Sequence, residues 1–415
     1  MSTSRNALIA ALDIGTSKVC CLIADIGEDG APRIVGIGHQ IADGMKAGSI
    51  VDMEAARDAV RAAVHAAEEM ADATIREVFV NVSTGQPRST RLDAEVPVAG
   101  HEVGAADLRR VIDHGRQWRN GEAREIIHAI PVSFTLDGDK GIRDPRGMVA
   151  GTLGVDMHLV TATSSAVRNL ANCLAGCHLE VTAMAASPFA AGLACLSRDE
   201  TELGVAVVDL GAGTTAIATF EDRELVFTAA VPVGGAHVTN DIAHGLSTPI
   251  AQAERLKTLH GTAIPASSDA RRLLDAPQIA GEPGGEVNQV SRSQLAGVVK
   301  PRIEETFELV RDRLDIDGPG RAAARRLVLT GGASQLEGLR EVASEIFDAQ
   351  VRLGRPARLA GLADAVSGPA FSVAAGLLHF ATTRYEGRST TRRPRRSGES
   401  SGLFGRLGHW LHENF

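Results

Sequence analysis

One pattern occurs twice in this chain, far apart in the sequence. An apolar run closes on an aspartate, a turn of small and hydroxyl residues follows, and the chain becomes apolar again. Residues 8–25 reach Asp13, turn through Gly15, Thr16, Ser17 and Lys18, and resume at Val19. Residues 204–220 reach Asp209, turn through Gly211, Gly213, Thr214 and Thr215, and resume in the same way. Apolar runs on both sides of a short polar turn read as β-hairpins. A hairpin repeated at this distance restricts the fold to architectures with two similar halves. Halves that face each other bring both turns to one cleft, so the ligand is expected between lobes.

The rest of the chain fits an α/β reading. Helical spacing over 53–70 and 164–174 alternates with a strand-like run at 179–184. Between the hairpins, residues 85–160 carry short strand-like runs at 95–98, 126–130 and 155–160, which read as an inserted module. A Pro, Ala, Ser and Gly-rich stretch at 262–286, then a helical segment at 293–314, suggests a smaller subdomain in the second half. A length of 415 residues agrees with several subdomains, and 44% apolar with 23% charged residues is globular composition. The apolar stretch 7–12 meets Asp13 at once and has no cleavage site, so no signal peptide is expected. No segment is long enough to span a bilayer. The cysteines, Cys20, Cys21, Cys173, Cys177 and Cys195, lack C-x-x-C pairing, which points to a reducing compartment. Cys173 and Cys177, near His178, read as small core residues of a helix and not as metal ligands.

The residue types in the two turns suit nucleotide phosphates. Backbone N–H groups of a tight Gly/Thr turn can surround phosphate oxygens, and glycine allows close approach of the main chain. An aspartate at each strand end can hold Mg²⁺ through its waters. A third element, LVLTGGASQLEG at 327–338, offers Gly331 and Gly332, where a flat adenine or ribose could lie against the backbone. A fourth, Glu254 and Lys257, puts a carboxylate and an ammonium on one helix face. No G-x-x-x-x-G-K-[ST] pattern occurs, which removes a P-loop.

Past Phe380 the chain changes character. Residues 384–402 read RYEGRSTTRRPRRSGESSG, with no apolar face to bury, and are expected to form a flexible linker. Residues 384–415 hold seven arginines against three glutamates, leaving 36 basic against 48 acidic residues elsewhere. A basic tail on an acidic body weakens any nucleic-acid reading and favours an interaction tail. On a helix, Leu403, Phe404, Leu407, Trp410, Leu411 and Phe415 fall within an arc of about 140°, with Arg406, His409, His412 and Glu413 opposite. That pattern suits a helix lying in a membrane interface, with the linker arginines facing anionic lipid. One such helix binds marginally, so membrane attachment is expected to depend on assembly.

In this order, the two aspartate turns, the paired glycines and the Glu254/Lys257 pair resemble the actin/Hsp70/sugar-kinase ATPase superfamily. The resemblance implies a two-lobed fold of duplicated ribonuclease H-like halves with ATP and Mg²⁺ between them. It implies phosphate loops formed by Asp13, Gly15, Thr16, Ser17 and Lys18 and by Asp209, Gly211, Gly213, Thr214 and Thr215. It implies an adenosine site of Glu254, Lys257, Gly331, Gly332 and Ala333, with Mg²⁺ held through water by Asp13 and Asp209. Connecting helices are expected at 187–196 and 369–380, where Ala370, Ala374, Ala375 and Gly376 permit close crossing. Brisk ATPases of this superfamily place Gln or Glu near the connecting segment. Residues 161–168 read TATSSAVR, so no catalytic residue is assigned and slow or absent hydrolysis is expected.

Within the superfamily the chain is similar to the FtsA family of bacterial cell-division proteins. ALDIGTSKV, NVSTG at 81–85, VDLGAGTT, VPVGGAHVTNDIAHGL and LTGGASQLEG carry that likeness, together with the insert and the tail. The likeness implies a lobe-one core of 1–84, 162–200 and 366–383, with an inserted α+β subdomain at 85–161. It implies a lobe-two core of 201–242 and 300–365, a small subdomain at 243–299, the linker at 384–402 and an amphipathic membrane helix at 403–415. The implied partners are the C-terminal peptide of FtsZ, further copies of the chain in a filament, later division proteins and the anionic inner-membrane surface, but no nucleic acid. The implied location is peripheral, on the cytoplasmic side at the division site. Arg292, Lys300 and Arg302 are candidate cations for the FtsZ peptide. A pilus-assembly type of actin-like scaffold would share the cleft without this tail. A sugar or acid kinase would need a catalytic aspartate in a substrate pocket.

Overall fold

The computed structural model describes residues 7–27, 30–117, 123–279, 288–319, 325–361 and 366–390. The first half opens with strands β1 (Leu8–Ile14), β2 (Lys18–Ile26) and β3 (Pro32–Ile41), a small hairpin β4 (Met45–Lys46) and β5 (Ser49–Ile50), helix α1 (Met53–Ala71) and strand β6 (Glu77–Val82). β1 and β2 are buried on both faces, which explains their unbroken apolar runs. α1 starts at Asp52, whose carboxylate accepts from the N–H groups of Glu54 and Ala55. Its buried stripe, Ala56, Ala59, Val60, Ala63, Val64 and Ala67, lies against β3 at very short range. Gly38 makes that approach possible, because a Cβ there would sit 1.7 Å from the Ala63 carbonyl oxygen.

The insert follows as β7 (Arg88–Pro97), α2 (Ala105–Arg116), β8 (Arg124–Leu136), β9 (Asp139–Ile142) and β10 (Thr152–Thr163). The three short runs expected from sequence are thus segments of longer strands, with α2 closing a separate core around Leu108, Ile112, Phe134 and Met157. The chain returns through α3 (Ser164–Ala175), β11 (Glu180–Ala186), α4 (Ser187–Cys195) and α5 (Arg198–Leu203). The second half begins with β12 (Val205–Leu210), β13 (Thr215–Glu221), β14 (Glu224–Val231), α6 (Gly235–Leu246) and α7 (Ile250–His260). It continues through β15 (Leu273–Ala276), β16 (Asn288–Ser291), α8 (Arg292–Asp317), β17 (Arg326–Thr330), α9 (Leu339–Phe347), β18 (Gln350–Leu353) and α10 (Ser372–Thr390).

The repeat seen in the sequence is a repeat of topology. The first sheet runs β3-β2-β1-β6-β11, and β14-β13-β12-β17-β18 run in the same relative order in the second. In each, an antiparallel three-stranded meander is extended by two parallel strands. α4 and α10 cross between the halves, and their shared core contains Ala190, Ala194, Phe220, Ala374, Leu377 and Leu378. At the crossing a Cβ on Gly376 would sit 1.7 Å from the Ala190 carbonyl oxygen, so the two backbones touch.

The second sheet has nine strands because β14 meets β7 of the insert. That junction is one bridged pair, Ala229 with Arg88, reinforced by side chains. His158 is fully buried, and burial pushes its pKa down to about 4, so the ring is neutral. Its Nδ1–H donates to the Leu225 carbonyl at 2.8 Å, and Nε2 lies 2.8 Å from Ser89 Oγ. Ser89 Oγ in turn accepts from the Thr228 N–H at 2.7 Å.

One expectation needs correction. α10 continues to Thr390, so residues 384–390 of the expected linker are helical. Extending an existing helix adds a hydrogen bond for each residue fixed and needs no new nucleus, so these polar residues follow the buried turns before them. The expected membrane residues Leu403, Phe404, Leu407, Trp410, Leu411 and Phe415 lie outside the described residues. Among the described residues, no helix is long and apolar enough to cross a membrane.

Candidate functional site

A cavity of about 620 Å³ opens between the halves. Both aspartate turns face it and are closed in the same way, by Gly15 N–H to the Lys18 carbonyl and by Gly211 N–H to the Thr214 carbonyl, each at 2.9 Å. Asp13, Gly15, Thr16, Ser17, Lys18, Asp209, Gly211 and Thr214 line it. Gly213 and Thr215 do not. A Cβ on Gly213 would sit 2.5 Å from Thr16 Oγ1, so this glycine lets one turn pack on the other. Thr215 is fully buried and donates to the Val233 carbonyl.

Gly331, Gly332, Ala333, Glu254 and Lys257 line the same cavity from the second half. Gly331 has a φ of +87°, and a Cβ there would meet Asp209 Oδ1 at 2.4 Å and the Leu210 carbonyl oxygen at 2.5 Å. Lys257 Nζ donates to Glu254 Oε2 at 2.7 Å, to Thr239 Oγ1 at 2.9 Å and to the Gly235 carbonyl at 3.1 Å. This pair therefore ties α7 to α6, and Thr239 is the link that the sequence did not suggest.

Two other contributors escaped the sequence reading. Gly234 and Gly235 open α6, whose first N–H groups donate to the Gly211 and Ala212 carbonyls at 2.9 and 2.8 Å. A glycine pair directly before a helix was the available signal. Asn81, at the end of β6, accepts from Ile14 N–H at 2.7 Å and donates to Ser187 Oγ at 3.1 Å, fixing the first turn from behind. Lys18 donates to the Ala370 carbonyl, and its ammonium lies 3.8 Å above the Phe371 ring.

Residues 161–168, where a water-orienting group was sought, do not line the cavity, because they belong to β10 and α3. The start of connecting helix α4 is the segment that does, and it presents Ser187 and Pro188. None of the lobe-one residues lining the cavity is Gln or Glu.

The electrostatics are unbalanced in one direction. Burial pushes Asp13 up to about 6, with Lys18 pulling it partly back. Burial and then the Asp13 charge push Asp209 up to about 7, again against Lys18. Two partly desolvated carboxylates in one cleft are thus short of positive charge. A hydrated divalent cation suits that donor set, since Mg²⁺ binds through one or two carboxylates, water and phosphate oxygens. Among the described residues no cage of three or more His, Cys, Asp or Glu side chains exists.

The three candidate cations on α8 are already engaged. Arg292 is largely buried and pairs with Asp269 at 3.1 Å and with Glu337. Arg302 bridges Asp241, at 2.5 Å, and Glu305. Lys300 makes only a longer surface pair with Glu304, at 3.5 Å.

Comparison with known proteins agrees with this architecture. The family model described as "Cell division protein FtsA" matches residues 206–376, and "SHS2 domain inserted in FTSA" matches residues 84–161. "Cell division protein FtsA" of Agrobacterium fabrum is 42% identical, covering 100% of this chain and 96% of that protein. Among solved structures, the "PilM-PilN type IV pilus biogenesis complex" aligns with a TM-score of 0.62 at 16% identity, over 91% of this chain and 98% of that one. MreB 5 of Spiroplasma citri bound to AMPPNP aligns with a TM-score of 0.58 at 14% identity, over 94% and 99%. These structural likenesses establish an actin-like fold, and the full-length sequence identity establishes more: the chain belongs to the FtsA family of cell division proteins.

Proposed function

We propose that the cleft binds ATP with Mg²⁺ and that the protein joins the FtsZ ring to the cytoplasmic face of the membrane, assembling into filaments as it does so. The observation that best supports the nucleotide reading is the convergence of both aspartate turns, Gly331–Gly332 and the Glu254/Lys257 pair on one cavity. In this reading the turn N–H groups and Lys18 take the phosphates. Asp13 and Asp209 hold Mg²⁺ through water, which neutralises charge on the phosphates and restores both carboxylates to the ionised form. Gly331, Gly332 and Ala333 face the adenosine, with Glu254 and Lys257 beside it.

Ser187, a neutral hydroxyl, and Pro188 at the start of α4 supply no base to orient water. Nucleotide then acts chiefly as a conformational ligand, and turnover is slow. Titration with a fluorescent ATP analogue tests the reading: binding that needs Mg²⁺ and weakens in Asp209→Asn supports it. Equal binding with and without Mg²⁺ in both proteins overturns it.

The adaptor part rests on family membership and on the tail pattern. The amphipathic segment 403–415 is the membrane contact in this proposal, and the small subdomain at 243–299 takes the FtsZ peptide. With Arg292 and Arg302 committed to internal pairs, Lys300 is the cation on α8 best able to reach a partner. Co-sedimentation with anionic vesicles, comparing the intact chain, a chain ending at Gly402 and Trp410→Glu, tests the membrane contact. Only the intact chain should pellet, and three soluble proteins would refute it.

A further inference from the structure

A second large concavity, of about 1100 Å³, lies away from the cleft where β8 of the insert, α4, the β13–β14 hairpin and α10 meet. Its walls are apolar and aromatic, built from Ile127, Ile130, Phe189, Leu193, Phe220 and Phe380. Leu193 is 37% exposed and Ile127, Ile130 and Phe189 are half-buried, while Phe220 and Phe380 form the buried floor. Space of this size exceeds the range typical of small-ligand pockets, ~300–1,000 Å³, and admits several large side chains.

Glu224 and four arginines, Arg116, Arg198, Arg223 and Arg384, line the same groove. Neither Glu224 nor Arg198 makes a side-chain hydrogen bond or ion pair among the described residues. Glu224 is exposed to solvent.

Helix α10 forms one wall through Phe380, Thr383 and Arg384, and from Thr390 the chain runs on toward Leu403. The segment that follows carries six large apolar side chains on one face, with Arg406 and Glu413 on the other. Arg406 is opposite in sign to Glu224, and Glu413 is opposite in sign to the groove arginines. The twelve residues 391–402 have a mean span of roughly 20 Å as a flexible chain, enough to fold back the ~9 Å that residues 385–390 of the helix travel from the groove.

We propose that residues 403–415 dock in this groove when the protein is off the membrane, so that protein and lipid compete for one apolar face. The proposal rests on the membrane reading given above. At a local concentration on the order of 1 mM, a groove that holds the segment with a Kd of about 1 mM is half filled, and a tighter one is mostly filled. Docking keeps lone protomers off the bilayer and off each other's tails. Vesicles, which offer a larger apolar sink, draw the segment out.

Of the two tryptophans, Trp118 can be replaced by Phe, leaving Trp410 as the reporter in the full chain. Without vesicles, Trp410 emission should be blue-shifted and shielded from acrylamide, independently of protein concentration. Adding Leu193→Glu should remove that shielding while the thermal midpoint holds. Shielding that survives Leu193→Glu, or grows with protein concentration as a second copy would make it do, overturns the proposal. A water-exposed Trp410 that blue-shifts only on phosphatidylglycerol vesicles also overturns docking but upholds the membrane reading. Shielding that Leu193→Glu abolishes, with no vesicle binding by either protein, upholds docking and sinks the membrane reading.

Discussion

Replacing Gly331 with alanine should damage this protein far more than replacing its neighbour Gly332. Gly331 has a φ of +87°, a backbone state that costs an L-residue about 1–2 kcal/mol. Its new Cβ would stand 2.4 Å from Asp209 Oδ1 and 2.5 Å from the Leu210 carbonyl oxygen. Forcing atoms into filled space costs about 1–3 kcal/mol more. The Leu210 carbonyl is main chain and cannot swing away, and the Asp209 carboxylate would have to shift toward the cavity. The sum is roughly 2–5 kcal/mol. At Gly332 the nearest atom to a new Cβ is Ala370 Cβ at 3.7 Å, an ordinary contact, so the change should stay within about 0.5 kcal/mol. Urea denaturation separates the two: Gly331→Ala should lower the midpoint with an unchanged slope, and Gly332→Ala should leave both alone. A nucleotide titration then adds the functional axis, because displacing Asp209 should also weaken Mg²⁺-dependent binding. A wild-type midpoint for Gly331→Ala would refute the packing argument outright, and equal losses at both glycines would refute the contrast.

Three further outcomes follow from the geometry. Gly376→Ala puts a methyl 1.7 Å from the Ala190 carbonyl oxygen and should force α4 and α10 apart; a melting curve like the wild type would contradict that contact. Asp13 and Asp209 bind protons more tightly folded, at about 6 and about 7, than at the ordinary 3.8, so their contribution to ligand-free stability is present at low pH and is lost as pH rises through 6 and 7. Asp209→Asn should flatten that decline and raise the thermal midpoint at neutral pH, whereas a wild-type midpoint that climbs with pH relative to the variant would reverse the sign. Arg292→Ala should lower the thermal midpoint by stranding the buried Asp269, while Lys300→Ala should not; equal midpoints would mean that the Arg292 pairs carry no structural weight.

The two halves were legible because each announces itself locally, through apolar strands around a compact aspartate turn. Gly331 and Gly332 were visible for the same reason. The parts that escaped depend on contacts between distant residues. Asn81 and Ser187 meet only after β6 and β11 have paired, and nothing near either residue signals the other. Thr239 gains its place between Glu254 and Lys257 from the packing of α6 on α7. Arg292 and Arg302 looked available because their partners Asp241, Asp269 and Glu337 lie elsewhere in the chain. The end of α10 was misjudged because composition reports whether a segment can bury a face and says nothing of the helix it extends.

The seam between β7 and β14 has a mechanical meaning. The insert leaves and rejoins the chain within the first half, yet its sheet is continuous with that of the second. Any rotation of one half against the other must either rupture the buried His158, Ser89 and Thr228 contacts or swing the insert as a lever about its two chain crossings. A protein bound far out on that lever would feel the state of the cleft as a displacement, without touching the nucleotide pocket at all.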